Sequence, residues 1–210
     1  DAIGGFDERL RFGEDVDLVW RLDEAGWRCR YDPSVSVWHE PRSTLRDRLR
    51  QHAGYGTSAA PLAMRHPGSL SPVHINGWTA ATWALALSGH VAAAVALGMG
   101  SSAALVRKLP DVPPRSALLL AMRGHLLAGS QFAAAVRRVW WPILLVGSVA
   151  SRRCRWWLLL AVASDLSTAP TDIAYGWGVW TGVRRTHTWA PLVPRLSAWP
   201  RLHSRRIPSL

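Results

Sequence analysis

The pattern of hydrophobic and polar positions changes near residue 77. Over residues 1–76, apolar side chains alternate with charged ones in short stretches separated by glycine and proline, which is typical of a soluble α/β fold. Residues 78–106 contain no aspartate, glutamate, lysine or arginine and are mostly alanine, leucine, valine and glycine. We therefore expect an α/β segment over residues 1–76 and a mostly helical, apolar segment over residues 77–210.

A helix is predicted directly after Gly13. The acidic pair Glu14-Asp15 precedes apolar residues at helical spacing, and Gly26 stands where a glycine commonly ends a helix. Asp17 and Arg21 are one helical turn apart, which predicts a salt bridge between them.

Short strands are predicted after this helix. Residues 27–31 and 35–39 alternate between apolar and polar side chains, and the dipeptide Asp32-Pro33 between them is typical of a turn. A basic helix should follow, capped by Ser43 and ending at Gly54 or Gly56.

The second segment is apolar enough to contact a membrane. Residues 78–99 are long enough to span a bilayer, whereas charged residues interrupt the stretches 117–136 and 139–163. If residues 78–99 spanned with the first segment in the cytoplasm, Arg107 and Lys108 would lie outside, against the positive-inside bias. Helices that lie in the interface, or a re-entrant hairpin, remove this conflict. We therefore favour such attachment, on the cytoplasmic face of the cell membrane, over true spans.

Composition excludes several classes of protein. The 210 residues are 49% hydrophobic and 19% charged, which excludes a disordered chain. Two cysteines, Cys29 and Cys154, exclude a disulfide scaffold and a four-thiolate metal site. Because the chain begins at Asp1 and not at a methionine, we expect it to be the C-terminal part of a longer protein.

The net charge of +11 is concentrated in the second segment. Residues 1–76 carry 10 arginines and 11 acidic residues, whereas residues 77–210 carry 15 basic residues and 3 acidic ones. An arginine-rich surface can bind nucleic acid or an anionic membrane. Many of the 13 tryptophans lie beside arginines, as at Arg137-Arg138 and Trp140-Trp141. We therefore expect these arginines to meet anionic lipid, and we expect no nucleic-acid partner.

Glu14 and Asp15 are the candidate catalytic residues. The helix dipole stabilises paired carboxylates at a helix N-terminus in their ionised form. Such a carboxylate can act as a general base toward a hydroxyl within hydrogen-bonding distance. His39 follows at the end of a predicted strand, where it is either a metal ligand or an ordinary hydrogen-bonded histidine.

These residues resemble the second half of a family 2 glycosyltransferase domain, the inverting GT-A type. The resemblance rests on Gly4-Gly5-Phe6, Glu14-Asp15-Val16-Asp17-Leu18, Arg21, Gly26-Trp27 and His39. It implies that Gly4, Gly5 and Phe6 bind substrate, that Asp15 with Glu14 is the catalytic base, and that His39 helps hold Mg²⁺ or Mn²⁺. Arg50 and Gln51 stand where processive members carry Gln-x-x-Arg-Trp, and they are expected to bind substrate.

Further stretches resemble the mycofactocin-system subfamily of these enzymes. They are Arg50-Gln51-His52, Tyr55-Gly56-Thr57-Ser58, Arg65-His66-Pro67 and residues 172–178. The resemblance implies transfer of glucose from the nucleotide sugar UDP-glucose to an acceptor hydroxyl on a small molecule, a peptide-derived redox cofactor or a lipid. It also implies that a donor-binding half with the main metal-binding Asp-x-Asp precedes this chain, which alone would be inactive.

A function of another class stays open. The chain could be a non-enzymatic module that anchors a partner to the membrane, since the apolar, arginine-rich half needs no catalysis to bind there. A strand-borne Asp-x-Asp motif upstream of Glu14 would favour the enzyme.

Overall fold

The computed structural model describes residues 3–38, 40 and 42–197, and it is mostly helical. The described residues form two compact units, the first from residues 3–72 and 133–193 and the second from residues 73–132 and 194–197. The helices are α1 (Glu14–Glu24), α2 (Leu45–Thr57), α3 (Ala59–Arg65), α4 (Gly77–Leu87), α5 (Val91–Lys108), α6 (Pro114–Ala135), α7 (Trp141–Ala150), α8 (Arg152–Ala163) and α9 (Ala169–Thr186). A π-helix (Val136–Trp140), a 3-10 helix (Ala190–Leu192) and the strands β1 (His74–Asn76) and β2 (Arg195–Ser197) complete the described elements.

Helix α1 forms where the sequence predicts it. Gly13 precedes the helix in the left-handed region, with φ 78°, and the predicted acidic residues lie in the first turn. The helix ends at Glu24, and Gly26 adopts φ 84°, a conformation that glycine takes without strain. The predicted helix and its terminal glycine are confirmed.

The strands predicted at residues 27–31 and 35–39 are wrong for the described residues. Residues 27–38 form no strand and are exposed throughout, with Trp38 95% exposed. An isolated pair of short strands needs a sheet or helix to cover its apolar face, and this stretch has no such cover among the described residues. The turn between them does form, because the Val35 amide donates to the Asp32 carbonyl oxygen.

Helix α2 is capped by Thr44 and not by Ser43. The Thr44 hydroxyl accepts a hydrogen bond from the Asp47 amide at 3.1 Å, as an N-cap side chain does. The helix continues through both predicted end points and stops at Thr57.

The core of the first unit lies where α2 and α3 pack against α9. A Cβ atom on Gly56 would lie 2.0 Å from the Tyr175 carbonyl oxygen, and one on Gly178 would lie 2.0 Å from the Ala53 carbonyl oxygen. Close approach of the two helix backbones therefore explains the glycine at position 56, which the sequence suggested as a helix end. The buried apolar side chains around this contact are Ala59, Ala60, Val139, Val179, Val183 and Leu192.

An ion cluster around the buried Asp172 joins the π-helix to α9. The Nε atoms of Arg137 and Arg138 donate to the two carboxylate oxygens of Asp172 at 3.0 and 2.8 Å. Arg137 is only 6% exposed, and its Nη1 also donates to the Ala161 carbonyl oxygen. The expectation that Arg137 meets lipid is therefore wrong, because Asp172 neutralises its guanidinium inside the unit.

The second unit combines helices α4 to α6 with one parallel strand pair. Strands β1 and β2 pair with Ile75 opposite Leu196. The imidazole of His125 on α6 lies 3.1 Å from Thr79 Oγ1 on α4 and 3.0 Å from Ser101 Oγ on α5. One histidine therefore ties the three helices together.

Two stretches of the described chain are long and apolar enough to cross a membrane, Val91–Lys108 and Pro114–Ala150. The predicted first stretch, residues 78–99, is instead divided between α4 and α5 by a break after Leu87. Length and composition are weak evidence for a span, but they agree with membrane association. Large apolar side chains on these helices are exposed, among them Val95, Met99, Leu119, Leu126, Val146 and Val149.

Candidate active site

A cleft of about 440 Å³ opens in the first unit beside the start of α1. Glu14 and Asp15 lie on its lining. Aromatic rings form much of the remaining wall, contributed by Phe12, Trp20, Tyr55 and Tyr175. The structure therefore places the predicted carboxylate pair at a cavity within the size range of small-molecule sites.

Asp15 is exposed and lies on the cleft lining. Its Oδ1 accepts a hydrogen bond from the Val16 amide at 2.8 Å, and it has no ion-pair partner among the described residues. Asp15 is thus accessible at the cleft, as a general base has to be.

Asp17 lies in opposite surroundings. It is 1% exposed, and its carboxylate contacts Arg21 Nε at 2.8 Å, Arg65 Nη1 at 3.2 Å and His66 Nε2 at 3.0 Å. The Nδ1 atom of His66 lies 2.7 Å from Glu24 Oε1. The predicted salt bridge between Asp17 and Arg21 is confirmed. We call this group the Asp17 cluster; its members are Asp7, Asp17, Arg21, Glu24, Arg65 and His66.

Arg21 connects the Asp17 cluster to the glycine-rich turn. Its Nη2 donates to the Gly5 carbonyl oxygen at 2.7 Å, and its Nη1 donates to the Ile3 carbonyl oxygen. Gly4 and Gly5 have φ values of 65° and 29°, which favour glycine. The cluster therefore fixes the turn to α1, the helix that carries Asp15.

The charges of the Asp17 cluster shift the pKa values of its members. Burial acts to raise the pKa of Asp17, but hydrogen bonds from His66, Arg21 and Arg65 outweigh burial and hold that pKa below its ordinary value. Burial acts to lower the pKa of His66, but its hydrogen bonds to Glu24 and Asp17 outweigh this and raise its pKa above the ordinary 6.5. The cluster therefore favours the charged forms of Asp17 and His66.

The glycine-rich turn lies beside the Asp17 cluster and not on the cleft lining. Gly4 lines a pocket formed with the cluster, and Gly5 bonds to Arg21. Phe6 is 61% exposed and lines neither the cleft nor the pocket beside the Asp17 cluster. The substrate-binding roles expected of Gly4, Gly5 and Phe6 therefore stay predictions.

Gln51 reaches the cleft only through another residue, and Arg50 does not reach it. The Nε2 atom of Gln51 donates to the hydroxyl of Tyr55, a cleft residue, at 2.6 Å. Arg50 is exposed on α2 and does not line the cleft. Their roles in binding substrate also stay predictions.

His39, the predicted metal ligand, lies outside the described residues. Within the described ranges, no group of three or more His, Cys, Asp or Glu side chains is placed to hold a metal ion. The described residues therefore do not by themselves fit a metal site.

Sequence reasoning missed the cleft wall and most of the Asp17 cluster. Tyr55 and Tyr175 belong to stretches singled out only for their subfamily resemblance, and packing of α2 against α9 explains why both reach one cavity. Arg65 and His66 belong to another such stretch, and they contact Asp17 from a distant part of the chain. The subfamily resemblance of these stretches was the one sequence feature that pointed to these residues.

Comparison with known proteins shows the family. No family model and no solved structure matches the chain. The chain is 35% identical over 224 residues to the pre-mycofactocin glycosyltransferase of Mycobacterium tuberculosis, covering 92% of this chain and 48% of that relative. It is 30% identical over 142 residues to the succinoglycan biosynthesis protein ExoA of Rhizobium meliloti, covering 62% of this chain and 42% of ExoA.

A shorter match has higher identity. The chain is 46% identical over 69 residues to the N-acetylglucosaminyl-diphospho-decaprenol L-rhamnosyltransferase of Mycobacterium tuberculosis, covering 31% of this chain and 22% of that relative. The chain spans about half the length of the pre-mycofactocin glycosyltransferase that it matches. Similarity to glycosyltransferases implies a GT-A type fold. Together with the Gly4-Gly5 turn and the Glu14-Asp15 pair, these relatives show that the chain belongs to the family 2 glycosyltransferases.

Proposed function

We propose that this chain supplies the acceptor side of an inverting sugar transfer, with Asp15 as the general base. The observation that carries the proposal is the exposed carboxylate at the start of α1, which opens onto a cleft with aromatic walls. The family supplies the reaction class, transfer from a nucleotide-sugar donor to an acceptor. Residues 1–76 then form the acceptor-side half of the catalytic domain, and residues 77–210 form its membrane-associated region.

The proposed step begins with proton transfer to Asp15. Its carboxylate takes the proton of an acceptor hydroxyl, and the hydroxyl oxygen forms a bond to the anomeric carbon of the donor sugar. The bond between that carbon and the nucleotide diphosphate breaks, and the diphosphate leaves with the electron pair. Attack from the side opposite the leaving group inverts the configuration at the anomeric carbon.

The Asp17 cluster has a positioning role in this proposal. Arg21 of this cluster holds α1 against the Gly4-Gly5 turn. The carboxylate of Asp17 is buried and bonded to cationic side chains. The acceptor hydroxyl therefore meets Asp15, whose carboxylate is exposed, and not Asp17. Glu14 lies in the same helical turn and on the same cleft lining, as the companion carboxylate of Asp15.

UDP-glucose is the proposed donor, and a peptide-derived redox cofactor is the proposed acceptor. The support is similarity to a relative named pre-mycofactocin glycosyltransferase. The aromatic wall of the cleft suits an acceptor with a flat ring, because rings stack on one another favourably. A lipid acceptor is the second candidate, supported by the relative whose name includes decaprenol.

Metal dependence is also part of the proposal, since family 2 glycosyltransferases generally depend on a divalent metal. His39 is the residue of this chain that we expect to help bind Mg²⁺ or Mn²⁺. The His39→Ala variant should then need a higher metal concentration for half-maximal activity. An unchanged metal titration would make His39 a structural residue.

A transfer assay on the full-length protein, and not on these 210 residues alone, tests the reaction class. The protein is incubated with UDP-glucose and with acceptors bearing an aromatic or a polyprenyl group, and products are identified by mass spectrometry and by their anomeric proton signals. We expect a glucosylated acceptor with inverted anomeric configuration. Retained configuration, or no transfer from any nucleotide sugar in a panel of donors, contradicts the proposal and favours the non-enzymatic membrane module.

We also propose that residues 77–210 hold the protein on the cytoplasmic face of the cell membrane. The support is the pair of long apolar helical stretches and the exposed apolar side chains on them. Membrane fractionation separates the possibilities. Release from the membrane by high salt or carbonate supports interfacial docking. Retention until detergent is added means spanning helices. A protein found in the soluble fraction without either treatment contradicts membrane association.

A further inference from the structure

The second unit contains a cavity of about 610 Å³ that the proposed reaction does not use. Strand β1 and helices α4, α5 and α6 frame it. Its volume falls within the range of about 300–1,000 Å³ that is typical of small-molecule sites. Because His125 joins the three helices through Thr79 and Ser101, the frame of the cavity is held together without a ligand.

Part of the cavity lining is apolar and accessible. Leu105, Leu120 and Leu127 lie on it, and Leu120 and Leu127 are each 62% exposed. Small residues of α6 between these leucines, such as Gly124, leave room along the helix. A hydrocarbon tail seated here would remove both its own apolar surface and that of the leucines from water.

The polar part of the lining carries positive charge. Lys108, the only lysine of the 210-residue chain, lies at the C-terminal end of α5 on the cavity lining. Among the described residues it has no ion-pair or hydrogen-bond partner, and the described lining includes no aspartate or glutamate. Asn76 and Gln131 add amide groups that can donate hydrogen bonds.

We propose that this cavity binds an amphiphile with a phosphate headgroup. The hydrocarbon tail lies against Leu105, Leu120 and Leu127, and the phosphate pairs with the Lys108 ammonium group. Lysine binds phosphate as a point charge, and the pairing is stronger beside apolar walls than in open water. The inference concerns the second unit alone and does not depend on the proposed sugar transfer.

Because Lys108 is the only lysine, amine modification reports on this cavity directly. The protein is kept in dodecyl maltoside, so that a neutral amphiphile with the same tail is present in every sample, and Lys108 acetylation is followed by peptide mass spectrometry. We expect dodecyl phosphate to slow acetylation of Lys108 at least five-fold, and inorganic phosphate at the same concentration to have no effect. Equal protection by inorganic phosphate would show a free-anion site, and no protection by dodecyl phosphate would contradict any phosphate site.

The Gly124→Leu variant separates binding in the cavity from general charging of the micelle. A Cβ atom at Gly124 meets nothing within 4 Å, so the larger side chain can enter without a backbone clash and occupy the cavity. Protection of Lys108 by dodecyl phosphate should be lost in this variant. Protection that persists would place the anionic amphiphile elsewhere and overturn the proposal.

A matched pair of charge variants tests the headgroup contact. Lys108→Gln and Arg107→Gln remove the same charge from neighbouring exposed residues, of which only Lys108 lines the cavity. We expect native mass spectrometry to show at least five-fold lower dodecyl phosphate occupancy for Lys108→Gln and less than two-fold change for Arg107→Gln. Equal losses would indicate diffuse attraction to a basic surface and would overturn the proposal.

Discussion

The first turn of α1 borders two regions, the cleft and the Asp17 cluster, in which a carboxylate is exposed in one and buried among cationic side chains in the other. At the cleft, Asp15 is exposed and has no ion-pair partner among the described residues. In the Asp17 cluster, Asp17 is 1% exposed and contacts Arg21, Arg65 and His66. The compensated charge of Asp17 fixes the backbone, whereas the charge of Asp15 is accessible at the cleft, where we propose that it accepts a proton. Position in the same helical turn therefore does not imply the same role.

Neutralising Asp17 should have the largest effect on stability. Asp17→Asn keeps the size of the side chain but leaves Arg21, Arg65 and His66 without their buried counter-charge. We expect the free energy of unfolding, measured by chemical denaturation, to fall by about 3 kcal/mol. This value is at the lower end of the cost of breaking a buried ion pair, because Arg21 and Arg65 are partly exposed to solvent. Asp15→Asn is the control and should change it by less than about 0.5 kcal/mol. Equal losses in the two variants would remove the distinction between the regions.

Removing Arg21 should have a smaller effect on stability and a local effect on the glycine-rich turn. Arg21→Gln loses the charged hydrogen bonds to Asp17 and to the Ile3 and Gly5 carbonyl oxygens, which should cost about 1–2 kcal/mol in total at this partly exposed site. Hydrogen exchange should become faster at residues 3–6. The exposed Arg28→Gln variant should leave that exchange unchanged. Wild-type exchange in Arg21→Gln would mean that the cluster does not position the turn.

The smallest of the expected effects is the change in the free energy of unfolding with pH, which should come from the Asp17 cluster. The pKa of His66 is raised above 6.5 in the folded state, so its contribution is fully present below pH 6.5 and is lost as the pH rises through the raised pKa. The lowered pKa of Asp17 gives a contribution that is lost only as the medium becomes strongly acidic. We expect the free energy of unfolding to decline as the pH rises above 6.5, and His66→Gln to reduce that decline. A decline of the same size in His66→Gln would assign the effect to another group.

The sequence predicted features that depend on neighbours within one helical turn. The start of α1, its terminal Gly26 and the contact between Asp17 and Arg21 all follow from local spacing. Alternation over residues 27–38 failed as a predictor because a strand also needs a partner, which no local pattern supplies.

Contacts between distant parts of the chain were not predictable in the same way. Charge pattern alone suggested that Arg137 faces lipid, but Asp172 holds it in the interior of the first unit. Tyr175 reaches the cleft only because glycines let α9 approach α2 closely. Such placements depend on which helices pack together, and a single sequence does not state that directly.

Turnover of Asp15→Asn in the full-length protein is the most direct test of the account. The amide keeps the shape of the side chain but cannot accept the acceptor proton as a carboxylate does. We predict a fall in kcat of roughly 10²-fold or more, with the KM for the donor little changed and the free energy of unfolding the same as in the wild type. Wild-type turnover in a folded Asp15→Asn variant would contradict the assignment of Asp15 as the general base.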